Sequence, residues 1–173
     1  ERFNSGASNL PEAEVYGLEV EAQANLGKGW RLDTNLTWME SEVIEGRDAI
    51  DRAEAENASV GLILDGAPTE AINAAREATA VNLTGNELAK TPDLVANVRL
   101  SYTHQLNNGA TLRSSLGYTH RGDYFARVFN SPDRDVVESY DIAHLNVNYI
   151  PSHGNWDLEL NVRNLFDDDS VAS

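Results

Sequence analysis

With 173 residues and 41% hydrophobic content, the chain has the size of a single domain, and its net charge of -15 with a pI near 4.5 excludes a nucleic-acid backbone as partner, because that surface is itself anionic. The absence of cysteine excludes disulfides and thiolate metal sites. No uninterrupted apolar stretch approaches the roughly 20 residues that a membrane-spanning helix needs.

Alternation of apolar with polar residues begins in the run 15–26, where Tyr16, Leu18, Val20, Ala22, Ala24 and Leu26 share one side and Glu19, Glu21, Gln23 and Asn25 the other. This period of two marks a β-strand wet on one face and greasy on the opposite one. Gly27-Lys28-Gly29 predicts a tight hairpin into a second strand over 30–40, whose faces read Trp30, Leu32, Thr34, Leu36, Trp38 and Arg31, Asp33, Asn35, Thr37. Counting outward from the turn sets Leu26 against Trp30 and Leu18 against Trp38, so the two apolar faces coincide. From 41 to 90 the alternation gives way to Ala, Glu, Asp and Arg. This is a long loop, with helix formers over 48–56 and 69–78 and Pro68 or Thr69 placed to open the second helix.

Thr91-Pro92-Asp93 leads into a third strand, 94–105, and Asn107-Asn108-Gly109 turns it into a fourth, 110–121. A second loop spans 122–138. The fifth strand, 139–149, and the sixth, 156–166, are joined by Pro151-Ser152-His153-Gly154-Asn155. Connections therefore alternate short, long, short, long, short. Aromatic residues gather at both ends of the strands: Trp30, Tyr102, Tyr149 and Trp156 near the short turns, Tyr16, Trp38 and Tyr118 near the long loops. Alternating loop lengths and two aromatic levels describe an all-β, antiparallel up-and-down transmembrane barrel segment of six strands, with a long, partly helical outer loop and aromatic rings at the membrane interfaces. The competing fold is a soluble antiparallel sheet packed on a core, which has the same period of two but no reason for either feature.

Three stretches carry a family resemblance. Tyr16-Gly17-Leu18-Glu19-Val20-Glu21-Ala22, Lys90-Thr91-Pro92 and Asn161-Val162-Arg163-Asn164-Leu165-Phe166-Asp167-Asp168 resemble the carboxy-terminal part of the barrel of TonB-dependent outer-membrane receptors. That resemblance implies a bacterial outer-membrane location, a barrel of about 22 strands around an amino-terminal plug, and active uptake of a scarce nutrient such as a ferric siderophore. It also implies outer-membrane lipid, a small nutrient ligand and the TonB energy-coupling complex as partners. A plug domain and coupling box are absent from residues 1–173, and the start at Glu1 without an initiator Met marks an expected fragment or processed product. A passive porin-like barrel and a soluble β-rich binding module are the alternatives.

No chemistry of bond making is legible. Among the four histidines, His104 falls opposite Leu112 and His120 opposite Ala96, toward opposite strand ends, while His144 stands alone on a polar face and His153 lies in a turn. Asp167-Asp168-Asp169 lacks the spacing of a calcium loop. Neither a catalytic constellation nor a phosphate-binding glycine loop occurs, so no enzyme, metal or cofactor is expected. Binding is the remaining route. In the second outer loop Arg121, Tyr124, Phe125, Arg127, Phe129 and Arg134 combine aromatic surface with guanidinium groups suited to planar or anionic ligands, and they serve equally well to pack the loop. By parity Glu19, Glu21, Arg99, Arg113 and Arg163 face the lumen.

Overall fold

The computed structural model describes residues 12–46 and 48–168. Ten strands and two helices follow the order β1 (Glu12–Gly27), β2 (Trp30–Glu45), β3 (Asp48–Ile50), α1 (Arg52–Leu64), α2 (Thr69–Glu77), β4 (Ala80–Asn82), β5 (Leu94–Gln105), β6 (Thr111–Arg121), β7 (Tyr124–Phe125), β8 (Val136–Val137), β9 (Tyr140–Ile150) and β10 (Leu158–Val162). They fall into two compact units. One holds 16–40, 91–124 and the described residues from Val136 on, and the other holds the described residues up to Val15 with 41–90 and 125–135.

The first unit is built on one antiparallel sheet of neighbours, β1-β2-β5-β6-β9-β10, open at β1 and at β10. Register follows from the turns. Positive φ at Gly27, Lys28 and Gly29 closes the first hairpin, and Gly109 (φ 78°) closes the β5–β6 turn, where Asn108 Oδ1 accepts the Ala110 N–H. Ladders then set Asp33 opposite Arg99, Arg99 opposite Gly117, and Gly117 opposite His144. One residue along, Leu32, Leu100, Leu116 and Leu145 line up on the other face. Polar and apolar residues are thereby segregated along most of the sheet, with Val95 and Ile142 on the polar face and His120 and Asp141 on the apolar face near the long-loop end.

What this sheet lacks is a covered core. Its buried apolar residues are small, Ala96, Ala110 and Ala143, whereas Leu18 and Leu158 are each 63% exposed and Leu116, on a central strand, is 47% exposed. A soluble sandwich places such leucines between two sheets. Here the apolar face is the outer surface, which in water would be an unmanaged patch and in a bilayer is the contact with lipid.

Two strand ends differ from the alternation pattern. β2 continues five residues past Glu40, because the returning segment supplies partners: the Val43 N–H donates to the Asn86 carbonyl, the Gly85 N–H to the Val43 carbonyl, and the Leu88 N–H to Ser41 Oγ. Ser41 and Val43 are buried and Glu42 between them is exposed, so the period of two also persists. β10 is shorter than the run 156–166. Asn164 (φ 52°) leaves the extended region, and its side chain accepts the Asp168 N–H and donates to the Asp168 carbonyl, folding Asn164-Leu165-Phe166-Asp167 into a turn.

Candidate functional site

On the polar face the six-stranded sheet forms an open depression of about 400 Å³ lined by Glu21, Asp33, Asn35, Arg99, Thr119 and His144, among others. The sheet is therefore concave on its wet side, as the wall of a water-filled or plugged lumen must be. His144 lies against the backbone of Gly117, where an added Cβ would come within 2.3 Å of the imidazole ring. Around this floor the side chains hydrogen-bond across strands, Asn35 Nδ2 donating to Glu19 and Glu21, Arg31 to Gln23 at 3.1 Å and Thr119 to Asn97 at 2.9 Å, and along β2, where Arg31 donates to Asp33 at 2.8 Å. The side chains of Arg99, Arg113 and Arg163 make no hydrogen bond or ion pair among the described residues.

Aromatic rings meet across neighbouring strands. Trp30 lies 4.5 Å from Tyr102 and Tyr149 5.9 Å from Trp156, near the short turns, while Tyr16 meets Trp38 edge-on at 6.1 Å. Tyr118 meets Phe166 at 6.4 Å. The Phe166 pairing was not legible in the sequence because it depends on the Asn164 turn, which swings the ring back onto β6. Tyr118 also donates its hydroxyl to Asp141 at 2.6 Å, and Asp141 contacts His120 Nδ1 at 2.8 Å.

The six loop candidates divide into two groups. At the end of β6 the Arg121 guanidinium stacks on the Tyr124 ring at 4.3 Å. Its Nε is buried without a hydrogen-bond partner among the described residues. In the other unit Arg127 is committed to packing: Nε donates to Asp135 Oδ1 at 2.7 Å and Nη1 to Asp51 Oδ1 at 3.1 Å, with the Phe129 ring 5.7 Å away. Arg134 reaches Asp51 Oδ2 at 3.6 Å and also pairs with Glu54. Asp51 and Asp135 are 5% and 1% exposed, so the two arginines balance charges that would otherwise be stranded out of water. Asn130 mimics a strand by donating to the Glu87 carbonyl and accepting the Glu87 N–H, and the Lys90 N–H donates to the Phe125 carbonyl. Segments 41–90 and 125–135 thus form one hydrogen-bonded body. Sequence reading found its cations but not its buried acids, since Asp51 and Asp135 look like any others in an acidic loop.

Asp51 also caps α1, accepting the Ala53 N–H at 3.0 Å. Burial pushes its carboxyl upward, but hydrogen bonds from Arg127 and Ala53 and the charges of Arg127 and Arg134 outweigh burial and hold it below its ordinary 3.8. A lowered carboxylate value stabilises the folded loops fully above the ordinary value, and that contribution is lost as pH falls through the lowered one. Amide exchange across Ala53–Ser59 should accordingly stay slow from pH 7 to 5, after correction for intrinsic rates, and accelerate only below about 3.8.

Among the described residues no His, Asp and Glu group has metal-binding geometry, and no helix is long and apolar enough to cross a membrane, which says nothing of strands. The model of the family described as TonB dependent receptor-like, beta-barrel matches residues 2–165. The chain belongs to this family. No curated protein and no solved structure gives a significant match. As a TonB-dependent receptor barrel it is part of an outer-membrane receptor and transporter fold rather than an enzyme, and its six strands supply an unclosed portion of the wall. Receptors of this family work with TonB and a small ligand in the bacterial outer membrane.

Proposed function

We propose that this chain forms part of the wall and outer rim of a receptor that imports a scarce nutrient, such as a ferric siderophore, with energy delivered by the TonB complex through an amino-terminal plug. The observation that carries the reading is the two-faced sheet, exposed leucines on one side and a concave, hydrogen-bonded polar floor on the other. In this reading Glu19, Glu21, Arg99, Arg113 and Arg163 face the lumen, and Tyr16, Trp30, Trp38, Tyr102, Tyr118, Tyr149 and Trp156 sit at the headgroup levels. Ligand contacts come first from the Arg121–Tyr124 stack, because among the described residues that guanidinium meets no acid. Arg127 and Arg134 hold the loop body, which carries the rings of Phe125 and Phe129, in shape.

Cells expressing the receptor that carries this wall test the reading with a radiolabelled ferric chelate. Accumulation above the external concentration, abolished by a protonophore, is expected. Entry that stops at equilibrium and ignores the protonophore would mean a passive pore.

A further inference from the structure

The polar face of the three central strands holds no Asp or Glu at all, although the chain has 28 of them. It carries instead three arginines and a histidine. Arg121 and Arg113 lie eight residues apart on β6, and Arg99 on β5 stands opposite Gly117, midway between them. With about 3.4 Å per residue, the three guanidinium-bearing positions descend in equal steps of roughly 14 Å from the loop end of the sheet to the turn end. His144 is level with Arg99 across Gly117.

Among the described residues none of these arginine side chains donates a hydrogen bond to an acid, although the charge of Arg99 acts on Asp33, which stands opposite it on β2. The acids of the flanking strands already have other donors: Asp33 is held by Arg31, Glu159 by Asn146 and Asn161, and Asp157 by Asn148. Arg99 and Arg113 are exposed on the concave face, and the Arg121 guanidinium is backed by Tyr124 rather than by a carboxylate. Guanidinium groups that donate no hydrogen bond to an acid attract anions and bind carboxylate or phosphate oxygens in pairs, and of the three only Arg99, in the depression, has carboxylates, Glu21 and Asp33, in the same lining.

We infer that Arg121, Arg99 and Arg113 form an anion track along this wall, so that the imported nutrient bears carboxylate or phosphate groups. The inference rests on the import reading for its direction of travel. The track itself is an equilibrium property, and inorganic pyrophosphate serves as its probe.

Purified, folded receptor carrying this wall is titrated with pyrophosphate by calorimetry, beside Arg99→Gln/Arg113→Gln, Arg121→Gln and the matching Lys variants. The parent protein should bind, with affinity falling as salt rises. The double Gln variant should lose about tenfold or more, Arg121→Gln somewhat less, and the Lys variants should recover most of the loss, since charge persists while the paired hydrogen bonds do not. Identical curves for parent and Gln variants would overturn the track, and so would no binding by the parent, the result expected if another part of the receptor already covers these arginines. Arginine-dependent binding without energised accumulation would sink the import reading alone, and energised accumulation without arginine-dependent binding would sink the track alone.

Discussion

Replacing Arg127 with Met is expected to loosen the loop body formed by 41–90 and 125–135 while leaving the six-stranded sheet folded. Arg127 is the common partner of two acids, Asp135 at 2.7 Å and Asp51 at 3.1 Å. Methionine keeps much of the aliphatic stem but removes the charge, and both carboxylates then remain buried with their repulsion unbalanced. Removing one member of a buried ion pair costs about 3–5 kcal/mol. Arg127 is itself partly open to solvent, with 40% of its side chain exposed, so the lower end applies, about 3 kcal/mol. Asp135 retains the Ser131 N–H at 2.9 Å, and Asp51 retains Ala53 and Arg134, which keeps the loss from being larger. Proteolysis should cut the variant within 41–90 at least tenfold faster than the parent. The double change Arg127→Met with Asp135→Asn should recover part of the loss, because one of the stranded charges is then gone. Equal cleavage rates for parent and single variant would show that the ion network contributes little.

A charge placed on the apolar face is the second large effect. Val98 lies midway along β5 between Tyr102, opposite Trp30, and Leu94, opposite Trp38, so it marks the middle of the band enclosed by the aromatic residues. Val98→Arg should destabilise the receptor in lipid by about 2–4 kcal/mol, the range for an arginine at the midplane of a barrel wall. Asn97→Arg, one residue away on the opposite face, should change stability by less than about 1 kcal/mol, because that side chain enters water. Urea midpoints of the two variants in vesicles decide this. Similar losses at both positions would contradict the segregation of the two faces.

The strands were legible because barrel walls expose their logic in single residues. Trp30, Leu32, Thr34, Leu36 and Trp38 fix a face without reference to any partner, and Gly27-Lys28-Gly29 fixes the register of the next strand. Asn107-Asn108-Gly109 does the same for the following pair, so His104 opposite Leu112 and His120 opposite Ala96 follow by counting from that turn and recur in the ladder. The loop body was not legible in the same way. Its order comes from pairs distant in the chain, Asp51 with Arg127 and Glu87 with Asn130, and composition offers only an acidic, helix-forming stretch. The same limit applied to the candidate ligand residues: type and spacing put Arg121, Arg127 and Arg134 on one footing, and only their partners separate an arginine stacked on Tyr124 from two that balance buried acids. Asn164 lies between these cases. Its motif was visible, but the physical role of the asparagine, a left-handed turn closed on Asp168, required the backbone.

The two faces of the sheet can be tested directly, because the chain contains no cysteine. Single cysteines at Ser101→Cys and Ser115→Cys on the polar face, and at Leu100→Cys and Leu116→Cys on the apolar face, would be introduced into the receptor in outer-membrane vesicles. They would then be treated with a charged thiol reagent that does not enter lipid. The two serine positions should react at a rate set by access to water, and the two leucine positions should react only after the membrane is dissolved in denaturant. Equal labelling of both faces in intact membranes would contradict the account of this chain as a barrel wall.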